Sequence, residues 1–198
     1  MFVTFEGIDG SGKSTQAELL RARLEADGYD VVLTREPGGT ELGERIRDLL
    51  LHGGHVSPWA EALLYAASRA QHVDEVIRPA LERGAWVVCD RYVDSSVAYQ
   101  GVGRELGLER VLDLNLAAVG GLMPEHTFLL ALDVGELAGR LRGDHDRLER
   151  EPGDFHARVA EGYRELARRF PDRFVTLDAS RDPEALAEEV YGALRIRA

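Results

Sequence analysis

The chain has 198 residues, 44% of them hydrophobic, and a formal net charge of -11. That size suits one α/β domain with a substantial core, and the acidic balance argues against a general nucleic-acid or anionic-membrane binder. A single cysteine, Cys89, excludes an intrachain disulfide framework; with no apolar run near ~18 residues and a first strand starting at once, a soluble cytoplasmic protein is expected.

Phe2–Glu6 alternates apolar and polar residues, with aromatic and β-branched side chains, and predicts a strand. Gln16–Asp27 carries Ala17, Leu19, Leu20 and Leu24 at helical spacing and is stopped by Gly28. Between them lies Gly7-Ile8-Asp9-Gly10-Ser11-Gly12-Lys13-Ser14-Thr15, which meets the Gly-x-x-x-x-Gly-Lys-Ser phosphate-loop spacing in full. The context is the one this motif needs, a strand turning into a helix N-terminus, where converging N–H groups and the helix dipole bind an anion. Lys13 is the only lysine in the chain. It is expected on the β- and γ-phosphates as a compact point charge, with the Ser14 hydroxyl on Mg²⁺.

Farther along, Val31–Thr34 predicts a second strand, and helices are expected at about 41–51 and 58–83, the latter closed by Gly84. Trp86–Asp90 is almost wholly apolar, as a buried parallel strand should be. A helix near 108–118, a strand at Thr127–Leu132 and a helical stretch from about Gly135 follow. Glycine and charge break the pattern across 143–153 before a helix at Asp154–Phe170, a fifth strand at Phe174–Leu177 and a closing helix at Pro183–Ile196. The alternation implies an α/β fold: a five-stranded parallel sheet with helices on both faces and ligands at the carboxyl ends of the strands. No repeat or long linker divides the chain, so a single domain over 1–198 is expected.

A phosphate loop alone specifies only a nucleoside triphosphate. A GTPase needs a base-reading Asn-Lys-x-Asp, which a sole lysine at position 13 excludes. Asp90-Arg91-Tyr92 follows the apolar third strand. Asp90 there can hold Mg²⁺ through water opposite Ser14, and Arg91 is positioned to reach both donor and acceptor phosphates. Arg45 and Arg47 fit either an acceptor-phosphate cluster or a solvated helix face. Tyr65 and Arg69 share a helix face, as a ring and a cation for a ligand or as ordinary core. His52 and His55 lack a convergent set of metal ligands and read as surface residues.

Three blocks together are more specific: Phe5-Glu6-Gly7 through Thr15; Thr34-Arg35-Glu36-Pro37-Gly38-Gly39-Thr40; and Asp90-Arg91-Tyr92 with Ser95-Ser96-Val97-Ala98-Tyr99-Gln100-Gly101. In order and spacing they resemble the bacterial thymidylate kinase family. The resemblance implies a P-loop nucleoside monophosphate kinase fold with a short lid at about 140–153, ATP and Mg²⁺ as co-substrate and cofactor, dTMP as acceptor, and a homodimer packed through helices. It assigns Arg47, with Arg91 and Arg35 nearby, to the acceptor phosphate, and it includes Glu36 and Pro37 in the acceptor site. Tyr65, usually phenylalanine in the family, would stack on thymine, Arg69 would bond its O4, and Ser96 would read the base edge. Tyr99 would crowd C2′, Asp9 would engage the 3′-hydroxyl, and Gln100 would assist nearby. Some relatives carry a catalytic arginine inside the phosphate loop; here Gly10 and Ser11 fill those slots, so the charge is expected from lid arginines, Arg142 first and then Arg140 and Arg147. Asp178-Ala179-Ser180 would border the adenine. Two other readings stay open on the residues: a small P-loop kinase for another nucleotide or a nucleoside, and a nucleotide-binding regulator without turnover.

Overall fold

A computed structural model describes residues 1–133, 135 and 146–194. Five parallel strands, β1 Phe2–Glu6, β2 Val31–Arg35, β3 Trp86–Asp90, β4 His126–Ala131 and β5 Phe174–Asp178, form one sheet in the order β2-β3-β1-β4-β5. β1 is central, pairing with β3 on one side and β4 on the other. Every residue of β1 is therefore buried, the polar ones included. The strand expected at Phe2–Glu6 is present, and its polar positions are buried with the rest: Thr4 bonds Thr127 across the ladder at 3.1 Å, and Glu6 lies wholly inside.

The helices among the described residues are α1 Lys13–Ala26, α2 Glu41–His52, α3 Pro58–His72, α4 Arg78–Glu82, α5 Val93–Ser96, α6 Leu108–Val119, α7 Gly153–Arg169 and α8 Pro183–Ala193. The single helix expected over 58–83 is interrupted by a wide π turn at Val73–Ile77. Pro79 has no N–H to close an i→i−4 bond, and the helix widens in the turn before it. α5 runs into a second π segment, Val97–Gly103, absent from the sequence expectations. The helical stretch expected from Gly135 and most of the lid before Asp146 lie outside the described residues.

α7 packs closely on the second π segment because Gly162 offers no side chain: a Cβ there would stand 3.0 Å from Ala98 Cα. This contact brings Tyr163 of α7 over the carboxyl ends of β1 and β3. Strand ends, phosphate loop and α5 thus meet at one edge of the sheet.

Candidate active site

The loop between β1 and α1 wraps tightly. Gly7 has φ 141°, and a Cβ on it would lie 2.6 Å from Leu130 O and 2.8 Å from Ser11 Oγ, so only glycine fits. Gly12 caps α1 in the left-handed region at φ 92°. Lys13 folds back under the loop, its Nζ donating to Ile8 O at 2.9 Å, and is only 6% exposed. Burial, reinforced by Arg91, lowers its pKa to about 8 against the opposing pull of Asp9, Asp90 and Glu6.

Ser14 Oγ donates to Asp90 Oδ2 at 2.5 Å, linking the loop to the end of β3. Asp90 Oδ1 is buried and has no hydrogen-bond partner among the described residues. An orphaned carboxylate oxygen beside a hydroxyl is a fitting edge for Mg²⁺, which keeps several waters and takes few protein ligands. No cluster of three His, Cys, Asp or Glu suited to a metal occurs among the described residues; exposed His52 instead faces Asp48 at 3.3 Å. Asp90→Asn should raise the Mg²⁺ concentration for half-maximal activity by about 10- to 100-fold, checked by Mg²⁺ titration at fixed nucleotide.

Arg91 stands at the junction. Its backbone is in the left-handed region, φ 72°, an uncommon and strained conformation for a side-chain-bearing residue. That turn ends β3 and sends the guanidinium back across the loop. Nη1 donates to Gly7 O at 3.0 Å, Ser95 Oγ at 3.1 Å and Tyr163 Oη at 3.2 Å; Nη2 donates to Asp9 Oδ1 at 2.5 Å and Tyr99 Oη at 3.3 Å. Tyr99 also donates to Asp9 Oδ2 at 2.9 Å. Burial works to raise the Asp9 pKa, but Arg91, Lys13 and the Tyr99 hydroxyl together hold it far below the ordinary carboxylate range. Beneath this group Glu6 accepts from Tyr92 N, Ser95 Oγ and Tyr163 Oη at 2.5–3.0 Å. Its burial and the nearby Asp94 raise its pKa to about 7.

Beside Arg91 opens a cleft of about 520 Å³. Of the residues expected around the acceptor, Asp9, Glu36, Pro37, Arg47, Tyr65, Arg69, Arg91, Ser96, Tyr99 and Gln100 line it, and Arg35 does not. Leu51, Ser95, Asp146 and Leu148 complete the lining and were not foreseen. Arg47 reaches over the cis Glu36–Pro37 turn, donating to Pro37 O at 3.0 Å, whereas Arg45 is exposed and pairs with Glu41. Arg35 lies outside the lining and pairs with Glu44 at 3.0 Å.

Arg69 is 1% exposed and heavily committed. Nε donates to Glu36 Oε2 at 2.6 Å, Nη1 to Ser96 Oγ at 2.9 Å and to Asn115 Oδ1, and Nη2 to Tyr92 O at 3.0 Å. Of its five N–H donors one, on Nη2, has no partner among the described residues. Glu36 also binds His72 Nδ1 at 2.8 Å, so its carboxylate is an anchor for Arg69 as much as a cleft wall. Tyr65 is 9% exposed at the cleft, and burial pushes its phenol pKa upward.

Arg147, expected with Arg142 and Arg140 as a lid arginine, is placed with Nε donating to Leu50 O at 2.8 Å, its backbone N to Leu51 O at 3.2 Å, and Nη1 paired with Glu61 at 2.6 Å. In this arrangement the guanidinium holds the Leu50 carbonyl in the last turn of α2 and a buried carboxylate. Arg140 and Arg142 lie outside the described residues.

A second opening, of about 580 Å³, lies on the other side of the loop, between Ser11, Gly12, Thr15 and Gln16 and the segment from Ala179 to Leu186. The phosphate loop therefore stands between two nucleotide-sized spaces.

Donor loop and acceptor cleft share the carboxyl edge of one parallel sheet, and Arg91 spans them; the chain is a P-loop kinase of the nucleoside monophosphate class. The comparisons narrow this. Residues 5–190 match the thymidylate kinase family, and the chain belongs to it. It is 54% identical to a thymidylate kinase of Clavibacter sepedonicus over 96% of this chain and 92% of that one. It is 51% identical to a thymidylate kinase of Halothermothrix orenii, covering 96% and 94% respectively. The crystal structure of thymidylate kinase from Ehrlichia chaffeensis superposes with a TM-score of 0.83 at 34% identity, over 99% of this chain and 98% of that one.

Proposed function

We propose that the chain transfers the γ-phosphoryl group of ATP to dTMP, giving ADP and dTDP, by direct in-line transfer with no phosphoenzyme, as a step of dTTP biosynthesis. The observation that carries this reading is Arg91, a half-buried guanidinium touching the phosphate loop through Gly7 O and the acceptor cleft through Asp9 and Tyr99. A cation there neutralises charge on the phosphoryl group as it passes between the two nucleotides, which is most of what a protein contributes to such a transfer.

Each side chain then has a task. The N–H groups of residues 7–15 and the Lys13 ammonium bind the donor phosphates. Ser14 directly, and Asp90 through water, would hold Mg²⁺, which supplies charge neutralisation on the β- and γ-phosphate oxygens. Arg47 and Arg91 take the acceptor phosphate at the Glu36–Pro37 turn. Tyr65 stacks on thymine, the free Nη2 N–H of Arg69 meets O4, and Ser96 and Gln100 face the remaining base edge. Tyr99 excludes a 2′-hydroxyl and Asp9 receives the 3′-hydroxyl. Arg142 and Arg140 supply the last positive charge on closure. The opening beside Ala179 and Arg181 suits the adenine.

The reading also includes a single kinase domain over residues 1–198, cytoplasmic, without nucleic-acid or membrane partners; no described helix is long and apolar enough to cross a membrane. A homodimer is supported by Leu42 and Leu49 of α2 and Leu63 of α3, which are 46–55% exposed on adjoining helices.

The test is ADP release with ATP-Mg²⁺ and a panel of dTMP, dUMP, UMP, CMP, AMP, GMP and thymidine, in the parent and in Arg47→Ala. Preference for dTMP and a loss of about 10²-fold in kcat/KM on Arg47→Ala are expected, since a charge-assisted phosphate contact contributes roughly 1.5–3 kcal/mol. Preference for thymidine, untouched by Arg47→Ala, would mean a nucleoside kinase, and no turnover with any acceptor a regulator.

A further inference from the structure

Glu61, on the first turn of α3, is completely buried, although it neither lines the cleft nor belongs to the phosphate machinery. Its carboxylate accepts from Gln100 Nε2 at 2.8 Å, from Arg104 Nε and Nη2 at 3.2 Å, and from Arg147 Nη1 at 2.6 Å. Arg104 also pairs with Glu151 at 2.6 Å, so two carboxylates balance two guanidinium groups, of which only Glu61 is fully buried. Glu61, Tyr65 and Arg69 recur every four residues and share one face of α3. A flat ring lying on Tyr65 would have Arg69 toward one end and the Glu61–Gln100 pair toward the other.

A carboxylate can only accept hydrogen bonds. It therefore fixes which way round the Gln100 amide sits: nitrogen toward Glu61, leaving Oε1 as the atom Gln100 offers to the cleft. An oxygen there accepts a ring N–H and repels a ring nitrogen lone pair. We infer that Glu61 is a specificity-determining positioning residue that acts through Gln100, making the site select a pyrimidine carrying N3–H, as thymine does, against cytosine, whose N3 is an acceptor. Sites built to hydrogen-bond a particular group discriminate strongly, because the wrong partner leaves buried polar atoms unpaired. The inference rests on the dTMP reading above.

Glu61→Gln is the test, because a glutamine both donates and accepts and so lets the Gln100 amide turn over. kcat/KM is measured for dTMP and dCMP in the parent, Glu61→Gln and Glu61→Asp. The dTMP/dCMP ratio should fall at least about tenfold in Glu61→Gln, about 1.4 kcal/mol of lost discrimination, and stay within about threefold of the parent in Glu61→Asp, which still only accepts. A merely structural role predicts that both substrates lose in proportion; an unchanged ratio in Glu61→Gln overturns the inference. Should the uncompensated arginines prevent folding, the double variant Glu61→Gln, Arg147→Gln restores charge balance, and the same ratio is read there. A parent enzyme that does not prefer dTMP refutes the functional reading itself, whereas a dTMP-selective parent with an invariant ratio refutes this inference alone.

Discussion

Lys13→Arg should reduce kcat by about 10³-fold while leaving the fold intact, although the charge is conserved. Deleting a single preorganised donor in a charge-stabilising site costs roughly 10²–10³ in rate, and Lys13 provides a full charge. Arginine does not restore it, because the space under the loop holds an ammonium: Lys13 is only 6% exposed and its Nζ sits 2.9 Å from Ile8 O. A planar guanidinium with five donors would have to open the loop or leave donors unpaired. Saturating kinetics and thermal melting of the same preparation separate these effects; activity within tenfold of the parent would refute the argument. The depressed pKa adds a second signature. With a free-enzyme value of about 8, kcat/KM for ATP should decline as pH rises through 8, since only the ammonium pairs with phosphate. The stability linkage runs the other way. The unfolded chain keeps this proton up to about 10.5 and the folded one releases it near 8, so the protein gains stability with rising pH across that window. Below pH 8 the buried charge therefore costs on the order of 3 kcal/mol. Lys13→Met should be inactive and at least as stable as the parent.

How far the sequence reaches depends on whether a residue's environment leaves a local trace. The phosphate loop does: glycines at fixed offsets between a strand and a helix encode backbone conformations directly. The acceptor set is also traceable, because Tyr65 and Arg69 lie one helical turn apart and Ser96, Tyr99 and Gln100 share one short block. The segment 93–103 left none. It is buried on almost all sides, so it lacks the amphipathic stripe that marks a surface helix, and its serines and glycines are weak helix formers. Glu6 was missed because a central strand buries its polar positions too, which alternation cannot convey. Glu61 looks like an ordinary solvated charge in sequence, and Arg147 like one lid arginine among several; they meet only because α3 and the 146–151 segment converge on the end of α2, a long-range fact with no local signature.

Arg91→Ala should be the most damaging single change outside the phosphate loop, lowering kcat/KM for both substrates by about 10³-fold or more. It removes the cation shared by loop and cleft and leaves Asp9, side chain 24% exposed, without its ion-pair partner, with the Tyr99 hydroxyl still donating to it. Breaking a buried pair typically costs about 3–5 kcal/mol, or roughly 6–20 °C in melting temperature for a chain of this size, and this half-buried pair belongs at the lower end. The pH dependence identifies the cause. The Asp9 pKa is held well below its usual 3.8, so its contribution is present in full above pH 4 and is lost as the solution is acidified toward the folded value. Arg91→Ala should flatten that part of the acid-unfolding curve, and an unchanged acid limb would mean that Asp9 owes its charge to other groups. Arg91→Lys distinguishes charge from geometry. An ammonium can satisfy Asp9, but its three donors cannot also serve Gly7 O, Ser95 Oγ, Tyr163 Oη and Tyr99 Oη, which the guanidinium reaches from two nitrogens. Much of the lost stability should return in Arg91→Lys, while the rate stays at least about 10²-fold down, because the fork fixes where the charge sits relative to both nucleotides. Recovery of rate and stability together would show that any cation suffices at this position, and the left-handed backbone that aims this one would then have no catalytic purpose.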